Sequence, residues 1–130
     1  MRKSLGTLLM AAVGALILVA PALAHHGTAA YDANKNITVE GTVTKFYFSN
    51  PHAVLAINIK DTNGNVVECQ AELTSPNHLV RAGWTSKTLK PGDHITVSGY
   101  PAKSGASSMW IRKITRADGQ VLSVGGGDEN

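Results

Sequence analysis

From Ile37 onward, apolar and polar residues alternate with the two-residue period of strands that bury one face. Ile37, Val39, Gly41 and Val43 interleave with Thr38, Glu40, Thr42 and Thr44, and beyond Lys45 the apolar positions move to Phe46 and Phe48. A change of parity inside one strand predicts a bulge or strong coil, which a small barrel needs in order to close. Asn50-Pro51 ends this first strand, because proline cannot donate to a ladder. A second strand is expected over residues 52–60, with Ala53, Leu55, Ile57 and Ile59 on its core face. Asp61-Thr62-Asn63-Gly64 reads as the hairpin turn, since Asn-Gly accepts positive φ. A third strand over 66–73 places Val67, Cys69, Ala71 and Leu73 on one side and Glu68, Gln70 and Glu72 on the other.

The pattern then changes. Ser75-Pro76 reads as the N-cap and first residue of a helix of about two turns, with Gly83 as its stop. Leu79 and Val80 are expected to face the core, and Trp84 to plug the space beneath it. After the turn Pro91-Gly92-Asp93, a fourth strand is expected over 95–100 and a fifth over 109–116. The turn Ala117-Asp118-Gly119 leads to a short extension over 120–124, and residues 125–130 read as a flexible tail. Three strands, one helix and two strands is the order of the five-stranded OB-like Greek-key barrel, with its short helix between strands 3 and 4. An open β-sandwich is the competing architecture, and a buried helix at that position decides between them.

Ahead of the barrel (37–124) lie two segments without strand period. Residues 25–36 read as an N-terminal arm. Residues 1–24 carry Arg2 and Lys3, an uncharged apolar run over 8–19, and then Pro21-Ala22-Leu23-Ala24. A basic start, a short apolar core and a small-x-small end describe a secretory signal peptide, with cleavage expected between Ala24 and His25. The apolar run is too short for a ~30 Å hydrocarbon core, which takes about 20 residues. The expected location is therefore periplasmic or secreted, without a transmembrane segment in the mature chain.

Export changes how the charge is read. The full sequence has 12 basic and 9 acidic residues, and two of the basic ones belong to the leader. The mature chain is thus close to neutral and has no basic stripe, so a nucleic-acid partner is not expected. Cys69 is the sole cysteine, which rules out an internal disulfide, and its apolar-face position reads as a small buried hydrophobe.

Catalytic chemistry finds no constellation. There is no GxSxG elbow, and Asp32, Asp61, Asp93 and Glu68 fall on separate elements, so no enzyme is expected. Binding chemistry rests on five histidines: His25, His26, His52, His78 and His94. Cleavage after Ala24 would expose an α-amine on His25, and amine plus imidazole form a two-nitrogen chelate. A third nitrogen from His26 or His52 would complete a set suited to copper(II), which prefers tetragonal nitrogen ligation. His52 follows Asn50-Pro51 at a barrel rim, on the parity opposite to Leu55 and Ile57. The competing reading leaves these histidines solvated or hydrogen-bonded. His78 and His94 read as surface residues. Phe46 and Phe48 read as core, Tyr47 as exposed and able to stack on a ligand, and Trp84 and Trp110 as packing residues. A heme handler finds no Cys-x-x-Cys-His signal.

Four segments stand in order along the mature chain: HHGTAAYD at 25–32, NPHA at 50–53, SPNHLVRAGW at 75–84 and LKPGDHITVSGY at 89–100. Together they resemble a family of small secreted proteobacterial proteins of unknown function. The resemblance implies export and an OB-like barrel, and it points to His25, His26, Asp32, Asn50, Pro51 and His52 as site positions. The family pattern often has Trp where this chain has Cys69, which argues against a shared thiol chemistry. Two functions follow as expectations: an exported binding protein for a small ligand or metal, copper above all, or an interaction module docking on an envelope protein. Protein recovered from the cell envelope is expected to begin at His25, which intact mass measurement checks.

Overall fold

The computed structural model describes residues 27–125. Six strands and one helix follow in order: β1 (Ile37–Tyr47), β2 (Val54–Lys60), β3 (Val66–Glu72), α1 (Pro76–Arg81), β4 (His94–Pro101), β5 (Ser108–Arg116) and β6 (Val121–Leu122). The sheet order is β3-β2-β1-β4-β5-β6, and a parallel pairing of β3 with β5 closes the first five strands into a barrel. The expected mainly β, five-stranded OB-like barrel is therefore the observed architecture. The helix between β3 and β4 buries Leu79 completely, as the barrel alternative requires. Among the described residues no helix is long and apolar enough to cross a membrane.

The long first strand makes closure work. β1 pairs with β4 through its first half and with β2 through its second. Its register against β2 slips by one between Val43 and Lys45, so Thr44 is the extra residue. The Thr44 hydroxyl donates to the Ala56 carbonyl at 3.0 Å, which satisfies a group at the irregularity. Gly41 sits where β1 crosses β2 most closely: a Cβ there would lie 2.6 Å from the Asn58 carbonyl oxygen. Gly99 has a similar role in β4, where a Cβ would overlap the Trp110 carbonyl oxygen.

Inward-facing side chains fill the barrel. Val43, Leu55, Ile57, Ala71, Leu73, Val97, Met109 and Ile114 are among its fully buried members, with Cys69 in the same cluster. Close packing of this kind stands in for the disulfide the sequence cannot form. Trp84 closes one end at 3% exposure. Its ring meets Phe46 edge-on at 5.9 Å, and its indole N–H donates to the Ser123 carbonyl at 2.6 Å.

Several local expectations need correction. Val80 is 56% exposed beside the buried Leu79. Adjacent helical residues project about 100° apart, so a helix this short turns only one of the two inward. Ser75 occupies the N-cap, but its side chain makes no capping bond; its carbonyl accepts from His78 and Leu79 instead. Regular β2 structure starts at Val54 rather than His52, although Ala53 already exchanges backbone hydrogen bonds with Leu73 and Thr74. Part of the arm is built into the fold. Gly27–Ala30 form a 3-10 turn, and Tyr31 then bridges to Ala102 with only 8% of its surface exposed.

Trp84→Ala is expected to cost about 3–5 kcal/mol, the usual loss for an aromatic removed from a core. A urea unfolding curve with a lower midpoint and unchanged slope checks this.

Candidate functional site

A row of side chains crosses the outside of the barrel in register. Tyr47 on β1 pairs with Val54 on β2, Val54 with Glu72 on β3, Glu72 with Trp110 on β5, and Trp110 with Tyr100 on β4. Each has inward-facing neighbours, so the row is the polar and aromatic face of strands whose other face is core. Neighbouring strands lie about 4.8 Å apart, so this row forms one short band. It runs beside the β1–β2 connection, which contains the cis Asn50–Pro51 peptide and then His52.

Glu72 is the centre of the band. Its Oε1 lies 2.5 Å from His52 Nδ1, and its Oε2 accepts the Tyr31 hydroxyl at 2.5 Å. Both contacts are short enough for charge-assisted hydrogen bonds. Against an ionised Glu72, which can only accept, the contact uses His52 Nδ1–H, and Nε2 is the ring nitrogen on the side away from Glu72. Trp110 forms the floor: the His52 ring meets it edge-on at 5.2 Å, and the Tyr31 ring is tilted against it at 6.0 Å. The His52 and Glu72 side chains retain about a quarter of their exposure, 23% and 25%.

Burial, then the hydrogen bond and negative charge of Glu72, push the Tyr31 phenol well above its ordinary value, against a smaller opposing effect of the Ser108 side chain. Asp32, next to Tyr31, is engaged locally. Its carboxylate accepts the Asn34 amide at 3.1 Å and pairs with Lys35 at 3.5 Å, while its own amide donates to the Pro101 carbonyl. Tyr47 ends the band at 42% exposure, with the Lys45 ammonium 4.6 Å from its ring centre.

The structure thus brings His52 together with two residues that sequence reasoning passed over, Glu72 and Tyr31. Asn50 and Pro51 stand at the same rim and are exposed. His25 and His26 lie outside the described residues. His78 and His94 are elsewhere, each exposed and bonded to a threonine at 3.0 Å, Thr74 and Thr42 respectively. His94 borders a broad cleft of about 980 Å³, further along β1 and β2 from the band, where Thr42, Asn58 and Lys60 also contribute. Burial raises the Cys69 thiol, with a weaker opposing contribution from Ser107, so its chemistry is that of a core residue. Among the described residues no three His, Cys, Asp or Glu side chains come together as a metal-sized cluster.

The chain belongs to a family of unknown function (DUF6152), whose sequence pattern matches residues 14–110. No curated relative matches it. Among solved structures it is similar to a chain in the crystal structure of a complex of TiaS, tRNA and ATP, at 18% identity and a TM-score of 0.48. That match covers 66% of this chain and 19% of the other, so this chain spans about a fifth of the protein it matches.

The raised Tyr31 phenol has a consequence at alkaline pH. An unfolded tyrosine ionises near pH 10. The stabilisation that keeps Tyr31 protonated is fully present below that pH and is lost as pH rises towards the higher folded-state value. Absorbance titration at the phenolate band is expected to show a late step accompanied by loss of structure, and that step is absent in Tyr31→Phe.

Proposed function

We propose that this member of the DUF6152 family is an exported protein that binds a copper-type ion at the rim beside His52, with His25 and His26 completing the ligand set. The observation that carries the reading is the clamp on His52. A histidine that donates one ring N–H to a carboxylate, and so presents the other nitrogen in a fixed direction, is the usual arrangement of a metal-ligating imidazole. Here Glu72 takes Nδ1–H at 2.5 Å, and Nε2 remains as the donor atom.

Two further points support it. Tyr31 docks on the same carboxylate, so the segment ahead of β1 is held close to His52. From Tyr31 back to His25 is six residues, at most about 20 Å of chain. Removal of a leader after Ala24 would also put an α-amine on His25 that titrates near 7.7–8.0 and is available at neutral pH. Amine, His25 imidazole and one or two further imidazoles make a nitrogen-rich set, and copper(II) binds such sets most strongly among the common divalent ions.

A second reading rests on Tyr47. This ring is 42% exposed at the end of the aromatic band, with a cation over it, which suits contact with an envelope protein. That function needs no metal.

Copper(II) titration of the mature protein separates the two. An extra residue ahead of His25, or His52→Ala, is expected to weaken binding by at least about tenfold, the loss that even outer partners of a metal site can cause. Equal affinity in all three proteins overturns the chelate. Capture of an envelope partner that survives the histidine substitutions but is lost on Tyr47→Ala supports the docking function instead.

A further inference from the structure

We infer that the broad cleft along the first half of β1 is a binding site for a neutral carbohydrate. The cleft shares no lining residue with the His52 rim, so the inference stands apart from the copper reading.

Two registered rows of side chains build the cleft. Asn58 on β2 pairs with Thr42 on β1, and Thr42 pairs with His94 on β4. Two residues further along, Glu40 pairs with Thr96, and Lys60 ends β2 on the same parity as Asn58. Their strand neighbours Val43, Ile57 and Ile95 are buried in the core, so these side chains belong to the outer face. The volume of about 980 Å³ lies at the upper end of the ~300–1,000 Å³ usual for small-molecule sites.

The chemistry of the lining selects the ligand. At Gly41 and Thr42 the β1 strand is paired with β2 on one side and β4 on the other, so an added peptide strand finds no edge there. Recognition therefore runs through side chains. Charges are few and opposed, one Glu40 carboxylate and one Lys60 ammonium, with the His94 imidazole beside them. A polyanion needs a row of cations, which this lining lacks. Among the described residues of the lining, Val66 is the one large apolar side chain that is mainly exposed, at 64%. One such residue is too little for a lipid chain or the apolar face of a helix.

What remains is a set of groups that both give and take hydrogen bonds: the hydroxyls of Thr38, Thr42 and Thr96 and the amide of Asn58. A sugar hydroxyl also donates and accepts, so a neutral polyol is matched at each contact. Lys60 adds a donor and Glu40 an acceptor for the same hydroxyls. Threonine is stiff at χ1, and ordering it on a ligand costs little rotamer freedom. His94 Nδ1 is engaged by the Thr42 hydroxyl at 3.0 Å, which restrains the ring, and a ligand meets it through Nε2.

A printed array of neutral and acidic glycans, followed by heteronuclear NMR titration with the best-retained neutral oligosaccharide, tests the site. The mature protein is expected to retain neutral glycans, and the titration to shift the amide signals of residues 38–42, 58–60 and 94–96 saturably. Thr42→Val keeps side-chain shape and strand preference while removing one hydroxyl. Its affinity is expected to fall about tenfold, the worth of one hydrogen bond. Asn58→Ala, at an exposed position, is expected to fall by a similar factor and gives the decision should Thr42→Val be poorly folded. Wild-type affinity in the deciding variant overturns the site. Retention of acidic glycans alone, retention of no neutral glycan, or shifts confined to the surroundings of Tyr47 and Trp110 overturns it as well.

Discussion

Closure of the barrel by β3 and β5 is the constraint on which the site depends. The pairing is parallel and short, joining Gln70, Ala71 and Glu72 to Ser108, Met109 and Trp110. On the inner side it brings Ala71 and Met109 into the core, both fully buried. On the outer side it sets Glu72 beside Trp110, and this pair receives His52 and Tyr31. One three-residue ladder therefore seals the apolar interior and assembles the polar cluster on its surface. The two cannot be separated, because adjacent residues of a strand point to opposite faces.

The fold was legible because its signals are local. The parity change after Lys45 marked the bulge that appears at Thr44, and Asn63-Gly64 marked a turn in which Gly64 has φ 82°. Gly83 ends the helix with φ 91°, and the lone helix fell between the third and fourth strands as the OB-like order requires. Val80 was misplaced because a helix of six residues gives too short a period to separate one inward residue from its neighbour.

The site was only half legible. His52 stood out from its motif and its rim position, and Tyr47 from its parity. Glu72 could be assigned to the outer face by alternation with Glu68 and Gln70, yet its partners depend on a closure between strands far apart in sequence. Tyr31 was harder still. It sits in a stretch with no strand period, and nothing in its neighbours announces that its ring is buried against Trp110. The one available signal was an aromatic residue in a segment otherwise made of small and polar residues.

The band of side chains on the barrel exterior owes its shape to a residue with no side chain. Gly99 lies behind Trp110, and a single carbon added there would collide with the Trp110 carbonyl oxygen. The bare β4 backbone at this point lets β4 approach the main chain of β5 closely, at the residue whose indole His52 and Tyr31 rest against. Position 99 consequently has no conservative replacement. Redesign of the rim has freedom at Tyr47, Val54 or Tyr100, but must leave that glycine untouched.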